Sequence, residues 1–494
     1  MFLLKPPLIP LPQPSHMNNL MHPSPLFIRL CILLTLGSCS WHSPLLSKFH
    51  TPDTWHESSK PLSQKATIDH RWWLQFKDPM LATLVEQARK QSPDIKIAQA
   101  RIEQARAREG GSWAAQLPDI SAQAGTSRAR ASKNLSSHST QTSSFSNHFN
   151  SSFDASWEID IFGIDSALRA SKASRQKAEA DYDQVLVTLF GDIARHYFEI
   201  RQYEAKLAVH EKTITAQKEQ LVLADALYKA GQTSDADSAQ ANALLAATEA
   251  SKAPLQQGMI EAYYQLKILL GESSPSLEDI LKQPTLSAPP GIDVTLASPA
   301  AIIAERADIR SASQQLIYAA ALRDTAISQY FPHLSLSGVL GVESGTSGRL
   351  FNNASKALSA SAGVSMPIFD FGRIRAEVKE SNALGQEALG TYEKTVLTAL
   401  SEVEAAISGY HNEEQHYRDL TASVDASTRS LQVSEARYKE GLSSYLNVLD
   451  AQKTLYDAQT QQSASIFDSS IQLVRLYKAL GGGWKLEEEK TSVK

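Results

Sequence analysis

The chain contains 494 residues, with 48 lysines and arginines against 53 aspartates and glutamates, which gives a formal net charge of −5. So balanced a charge provides no electrostatic case for nucleic-acid binding. The length allows two ordinary domains or one architecture built from two similar halves.

An export signal is predicted at the N-terminus. Arg29 precedes an apolar run over residues 30–36, which is too short to span a bilayer as a helix but suits the apolar region of a signal peptide. The run ends in Leu-Gly-Ser before Cys39, which resembles the lipobox of bacterial lipoproteins. We therefore predict a lipoprotein signal peptide over residues 1–38 and a covalent lipid on Cys39; an ordinary signal peptide with a chance cysteine is the alternative. The serine after Cys39 favours the outer membrane, by resemblance to sorted lipoproteins.

Helical patterns follow an N-terminal extended segment, residues 39–80, in which prolines, serines and tryptophans occur without helical period. Apolar periodicity predicts one helix over residues 81–90 and another from residue 94 to about residue 115. A second copy of the latter is predicted from residue 308 to about residue 329, because Asp94-Ile95-Lys96 is matched by Asp308-Ile309-Arg310. The sequence therefore contains an internal repeat.

After each of these helices the period changes to two, which predicts strands with one apolar and one polar face. The predicted strands cover residues 120–124, 149–161, 334–342 and 358–368, with exposed loops over 128–148 and 343–356. The longer strands approach the roughly 10 residues of a tilted transmembrane β-strand; the edge of a soluble sandwich is the alternative. An open edge cannot lie in lipid, so several chains would have to share one barrel.

Each strand pair leads into a long helical pattern, and the first of these extends over residues 164–229. A helix of this length would form a rod of about 100 Å. Shorter returning helices are predicted over residues 234–270 and 443–480, after tight hairpins that contain Gly231 and Gly441. A strict seven-residue apolar repeat in both long helices predicts a coiled coil. Its members are Leu186, Ile193, Ile200, Leu207, Ile214, Leu221 and Tyr228, and Val396, Val403, Tyr410, Tyr417, Val424, Leu431 and Tyr438.

No catalytic, cofactor or metal site is predicted. His411 and His416 are five residues apart and do not share a helix face cleanly. Asp154, Glu158 and Asp160 fit the polar face of a strand better than the acid and base pair of a hydrolase. We therefore do not expect an enzyme, and we expect no cofactor apart from the lipid on Cys39.

The order of these motifs resembles the TolC-like outer-membrane factor family, specifically the lipoprotein branch of tripartite RND-type efflux pumps. The resemblance covers nearly all of the mature chain. It is carried by Trp72-Trp73 to Asp78-Pro79, the Phe-Gly turns at Gly163 and Gly372, the Tyr-x-x-Gly hairpins at Gly231 and Gly441, residues 447–451 and the closing residues 481–484.

This resemblance implies a mixed α and β membrane protein with two structural repeats, residues 81–290 and 291–484, and a polar tail over 485–494. Four strands per chain would form a shared trimeric barrel of twelve strands, continuous with an α-helical tunnel through the periplasm. A periplasmic adaptor and an inner-membrane pump would bind at the lower end of the homotrimer.

The resemblance also implies site residues in and beside the two hairpins. The family has two aspartates at an entrance constriction, which correspond to Asp450 and Asn447, and a closed-state latch, which corresponds to Tyr438 and Asp235. Because Asn447 replaces one of the two aspartates, the entrance constriction of a trimer would carry half as many carboxylates. This predicts that the constriction binds cations more weakly. The adaptor-docking tips correspond to Gly231, Gln232, Thr233, Ser234, Gly441, Leu442, Ser443 and Ser444.

A second departure from the family is Arg306, at a position where a proline usually precedes the aspartate that corresponds to Asp308. We expect a less rigid start of the following helix.

The leading hypothesis is a passive outer-membrane duct that exports small molecules when the pump and adaptor open it. One alternative is a duct for protein secretion. Another, from a different class, is a structural coiled-coil lipoprotein that is anchored only through Cys39 and forms no pore. The sequence does not identify the exported substrate.

Overall fold

The computed structural model describes residues 55–56, 70–130, 145–163, 165–271, 274–282, 286, 288–292 and 298–485. The chain divides into two compact units, Met1–Phe49 and His50–Lys494, and all described residues belong to the second. The predicted signal peptide and Cys39 lie outside the described residues. So do most of the extended segment and residues 486–494 of the tail.

The first helices follow a 3-10 helix, Trp72–Phe76, and are α1 (Pro79–Gln91) and α2 (Pro93–Ala114). Asp78 caps α1, because its Oδ1 accepts hydrogen bonds from the backbone N–H groups of Met80 and Leu81. A proline follows at the first helical position, where no N–H is needed. Both helices predicted for this region are confirmed to within a few residues.

One antiparallel sheet contains β1 (Asp119–Arg130), β2 (Phe145–Ile159), β3 (His333–Ser344) and β4 (Lys356–Ser365), in the spatial order β1-β2-β3-β4. Strands β2 and β3 pair directly, although they are distant in the sequence. Strands β1 and β4 are the two edges.

The strand bounds differ from the prediction at both ends of the sheet. Residues 160–161 and 366–368 were predicted as strand but lie beyond β2 and β4. The larger differences are at the end remote from the long helices. Residues 128–130 and 145–148 were expected in a loop, but they extend β1 and β2, with Arg130 opposite Phe145. Glu343 and Lys356 likewise belong to strands. Pairing satisfies the backbone N–H and carbonyl groups even where the apolar alternation has ended. The loop prediction is therefore wrong at both ends of each loop.

The predicted alternation of faces is confirmed by the strand register. Ala122, Phe153, Leu340 and Leu358 are successive partners across the four strands, so their side chains share one face. On this face Phe153 is 63% exposed, Leu340 60% and Leu358 80%. An apolar face this exposed needs a cover that the described part of the single chain does not supply.

The predicted long helices are confirmed. α3 (Ser166–Lys229) has 64 residues and α9 (Arg373–Lys439) has 67, which corresponds to roughly 100 Å each at about 1.5 Å per residue. Among the described residues, no helix is both long and apolar enough to cross a membrane. The remaining α-helices in chain order are α4 (Asp235–Ala250), α5 (Lys252–Leu270), α6 (Leu277–Leu281), α7 (Pro299–Glu305), α8 (Ala307–Ser328) and α10 (Tyr445–Ala479).

The first returning helix is broken into α4 and α5, whereas a single helix was expected over residues 234–270. Pro254 has no N–H to donate to the carbonyl group of Ala250, and Ala250 is the last residue of α4. The second returning helix, α10, contains no proline and is continuous.

The largest cluster of buried side chains packs the 3-10 helix against α3 and α10. The ring of Trp72 stacks on that of Tyr477, with centroids 5.5 Å apart. The hydroxyl of Tyr477 donates to Oε1 of Gln75 at 2.6 Å, and the hydroxyl of Tyr197 donates to Oδ2 of Asp78 at 2.6 Å. These contacts fix the entering chain against both long helical hairpins.

Candidate functional site

The two helical hairpins turn with the same backbone geometry. Gly231 and Gly441 both have φ of 72°, in the left-handed region that favours glycine. The N–H of Gly231 bonds to the carbonyl of Tyr228 at 2.8 Å, and that of Gly441 to the carbonyl of Tyr438 at 2.9 Å. In each hairpin the next N–H bonds to the carbonyl five residues earlier, which completes a Schellman motif. The Tyr-x-x-Gly sequence therefore predicted both turns correctly.

The turn residues present small polar groups and one apolar side chain to solvent. Leu442 is 64% exposed, and Ser444 caps α10 by accepting a hydrogen bond from the N–H of Leu446 at 3.3 Å. Of the eight residues proposed for docking, Thr233 and Ser443 are half-buried and the rest are exposed. Their exposure leaves room for a partner, and docking there stays a prediction.

Tyr438, the predicted latch residue, is buried at the end of α9 with 7% of its surface exposed. Its hydroxyl donates to Oδ2 of Asp237 at 3.3 Å. The resemblance pointed to Asp235 instead, which is exposed. Consecutive helical residues are about 100° apart, so residues two positions apart point in different directions from the first turn of α4. The acidic partner in this chain is therefore Asp237, and the assignment of Asp235 is corrected.

The same contact belongs to an apolar cluster that joins the two hairpins, here called the tip cluster. The rings of Tyr438 and Tyr445 lie 5.0 Å apart. Farther from the hairpin turns, Nε2 of Gln220 on α3 donates to Oε1 of Glu435 on α9 at 2.7 Å. Each of the four helices α3, α4, α9 and α10 contributes to the buried members of the tip cluster, which are Ala224, Ala241, Tyr438, Tyr445 and Val448.

Both tyrosines of the tip cluster remain neutral near physiological pH. Burial raises the pKa of Tyr438, and the negative charge of Asp237 raises it further. Burial also raises the pKa of Tyr445 to about 12. Tyr438 therefore keeps its proton and remains a hydrogen-bond donor to the carboxylate.

Asn447 and Asp450 lie on the opposite side of α10 from the tip cluster. Their three-residue spacing places them on one helix face, and both are exposed. Nδ2 of Asn447 donates to Oγ of Ser443 at 2.9 Å. Val448, which belongs to the tip cluster, is buried. The arrangement leaves the amide and the carboxylate accessible to solvent, as a constriction would require, and that role stays a prediction.

Sequence reasoning missed a buried polar patch between α3 and α10. His210 is fully buried, and its Nδ1 lies 3.0 Å from the hydroxyl of Tyr456. Within the described part of the chain, its Nε2 has no hydrogen-bond partner, and neither has Oε1 of Gln217 or of Gln452. The seven-residue spacing of His210 and Gln217 was a usable signal, because it places both on the side of α3 that packs against another helix.

Comparison with known proteins places this fold in one family. Residues 84–272 and 299–482 match the family described as outer membrane efflux protein. These two segments make up more than half of the chain, and they include all four strands and both hairpins.

Relatives align along almost the whole chain. The pyoverdine export outer membrane protein OpmQ of Pseudomonas putida is 31% identical over 476 residues, which cover 93% of this chain and 98% of the relative. The toluene efflux pump outer membrane protein TtgI of Pseudomonas putida is 30% identical over 467 residues, which cover 92% of this chain and 98% of the relative.

Solved structures share the fold. The outer-membrane channel OprN matches with a TM-score of 0.78 and 30% identity, over 88% of this chain and 98% of that chain. The CmeC outer membrane channel of Campylobacter jejuni matches with a TM-score of 0.80 and 26% identity, over 88% of this chain and 93% of that chain. The chain belongs to the outer membrane efflux protein family.

Proposed function

We propose that this protein is the passive outer-membrane duct of a tripartite efflux system, through which an inner-membrane pump and a periplasmic adaptor export small molecules. The observation that carries the proposal is a sheet with an exposed apolar face whose strands lead directly into helices of roughly 100 Å. Pyoverdine and toluene, which appear in the names of two relatives, are small molecules. This favours small-molecule export over protein secretion.

The strand order supports the shared barrel of a homotrimer that the family resemblance implies. Edge strands β1 and β4 run in opposite directions, so β4 of one copy can pair in the antiparallel sense with β1 of the next. Three copies supply twelve strands, and closure removes the edges that lipid does not tolerate. A lipid on Cys39 would anchor each copy to the same membrane.

The tip cluster supplies a reason for a closed resting state. It holds the two hairpins of one chain together through apolar packing and through the hydrogen bond from Tyr438 to Asp237. An adaptor that binds the exposed turns can open the duct by moving one hairpin against the other. In this proposal Asp450 and Asn447 line the narrowed mouth.

The latch is tested by single-channel conductance of the purified protein in planar lipid bilayers. Tyr438→Phe keeps the ring and removes only the hydroxyl, and Asp237→Asn removes the charge that it contacts. A hydrogen bond to a charged group contributes about 1.5 kcal/mol or more, so we expect the open population to rise roughly tenfold in either variant.

Asp235→Asn is the matched control, because it removes an exposed carboxylate two residues away. Its conductance should equal that of the unmodified protein. Unchanged conductance in both Tyr438→Phe and Asp237→Asn would remove the latch, and an effect confined to Asp235→Asn would restore the partner that the family resemblance implied.

A further inference from the structure

The charged residues of the sheet are divided between its two faces by sign. All lysines and arginines within the four strands share the apolar face, and they are Arg128, Arg130 and Lys356. The register shows this, because Arg130 is opposite Phe145 and Lys356 is opposite Val342. The aspartates and glutamates of the strands are all on the other face, and they are Asp119, Asp154, Glu158 and Glu343.

The basic residues are also confined to one end of the sheet. Arg130 ends β1 and Lys356 begins β4, at the strand ends remote from α3 and α9. Exposed apolar side chains such as Phe153 and Leu358 occupy the middle of the same face. At about 3.3 Å per residue, Arg128 lies roughly 20 Å along β1 from Ala122, which is in the row of Phe153. The exposed apolar side chains around Phe153 and Leu358 are here called the apolar band. The positive charges therefore lie between this band and the end of the sheet that is remote from α3 and α9.

An aromatic ring lies beside the two arginines. Cζ of Arg128 is 4.8 Å from the ring centroid of Phe145, and Cζ of Arg130 is 5.7 Å from it. Stacking on the ring holds the guanidinium groups against the face of the sheet. Both arginines and Lys356 remain exposed in the single chain.

We propose that Arg128, Arg130 and Lys356 bind the phosphate groups of an anionic lipid in the outer leaflet of the outer membrane. This inference rests on the proposed function, because it requires the apolar face to be in lipid. Arginine suits the purpose, since its planar guanidinium matches two oxygens of a phosphate at once. Phe145 and the apolar band, which lies nearer to α3 and α9, would contact the acyl chains of this lipid.

Barrel closure would complete the site. When β4 of one copy pairs with β1 of the next, Lys356 and the two arginines come to the same end of neighbouring strands. Each junction between copies then carries a cluster of three positive charges that face lipid. A phosphorylated lipid bound there would bridge two copies and stabilise the trimer.

The inference is tested with the full-length protein in phosphatidylcholine nanodiscs that are titrated with lipid A. Bound lipid is measured by native mass spectrometry. We compare the unmodified protein, the double variant Arg128→Gln with Arg130→Gln, and Lys356→Gln. Each charge removed should lower the apparent affinity roughly fivefold, as is typical for one basic residue at an anionic membrane surface. Glu343→Gln, on the opposite face of the sheet, should leave the affinity unchanged.

Dephosphorylated lipid A separates phosphate recognition from acyl-chain packing. The unmodified protein should bind it no more tightly than the double variant binds the phosphorylated lipid. Equal binding of both lipids by the unmodified protein, or an unchanged affinity in the double variant and in Lys356→Gln, would overturn the inference.

Conductance of the same samples in phosphatidylcholine bilayers distinguishes failure of the phosphate site from failure of the proposed duct. Pores in every variant together with unchanged lipid affinity would overturn the phosphate site and leave the duct intact. A protein that forms no pore would overturn the duct and this inference with it.

Discussion

His210 is a buried ionisable side chain at the contact between the two helical hairpins. Burial lowers its pKa below the ordinary 6.5, and the positive charge of Lys252 lowers it further, while Glu211 opposes the shift. Its Nδ1 is 3.0 Å from the hydroxyl of Tyr456. The folded protein therefore holds this imidazole neutral where α3 packs against α10.

The unfolded chain takes up this proton at a higher pH than the folded chain, so acid favours unfolding. Above the ordinary pKa of 6.5 neither state is protonated and His210 imposes no penalty. As the pH falls below that value, the stability decreases by at most about 1.4 kcal/mol per pH unit and chain. Thermal unfolding followed by circular dichroism should show a midpoint that falls between about pH 7 and pH 5.

His210→Gln should flatten this dependence because glutamine does not titrate. The control is His416→Gln on the exposed side of α9, which should keep the slope of the unmodified protein. An identical slope in His210→Gln and the unmodified protein would show that the pH dependence arises elsewhere.

Individual side-chain partners were the part that the sequence did not determine. Family resemblance identified Tyr438 correctly but assigned it Asp235 instead of Asp237 as its partner. The position of each aspartate around the first turn of α4 decides which carboxylate faces the ring of Tyr438. Arg306 was expected to loosen a helix start, yet it is buried and donates to Asp308, to Glu402 and to the carbonyl of Ala479. The contacts of Arg306 with Glu402 and Ala479 join segments that are distant in the chain, so no local pattern reveals them.

At the scale of elements, the hairpin turns depend on the left-handed glycines more than on any side chain. A methyl group added at Gly441 would meet no atom within 4 Å, so the constraint is the φ of 72° and not space. Gly441→Ala should destabilise the turn by about 1 kcal/mol. Hydrogen exchange of the N–H of Leu442, which closes the Schellman motif, should then be roughly fivefold faster.

Gly390 provides the matched control for this substitution. It lies inside α9, is exposed, and also has no atom within 4 Å of an added methyl group. Gly390→Ala should stabilise the helix by about 1 kcal/mol, because alanine is the better helix former. Equal effects of the two substitutions would show that backbone conformation does not control the turn.

The types of the elements were predictable, because packing on one face gives helices and strands different periods of apolar residues. The bounds of the elements were not predictable. The alternation over residues 149–161 revealed β2, which ends at Ile159, but residues 145–148 extend it through backbone pairing without an apolar pattern. The seven-residue seam indicated that α3 and α9 are long helices. The break after Ala250 lies in the returning helix, outside the seam, and depends on the local effect of Pro254 on one backbone hydrogen bond.

At the scale of the whole molecule, a duct and a coiled-coil spacer differ in what holds the protein in the membrane. A spacer depends on the lipid of Cys39 alone. A duct is also held by the exposed apolar face of the sheet, which includes Phe153, Leu340 and Leu358. Without that lipid nothing holds a spacer in the membrane, whereas a closed barrel is retained without it.

Cys39→Ala, expressed behind an ordinary cleavable signal peptide, should therefore remain in the outer-membrane fraction of a density gradient. Leu340→Arg in the same background places a charge in the middle of the lipid-facing surface, at a cost of about 2 to 4 kcal/mol for each copy, and should reduce the amount in that fraction. Val339→Arg, one residue away on the opposite face, should be tolerated. Release of Cys39→Ala into the periplasm would favour the spacer, and equal losses for Leu340→Arg and Val339→Arg would contradict the assignment of the lipid-facing side.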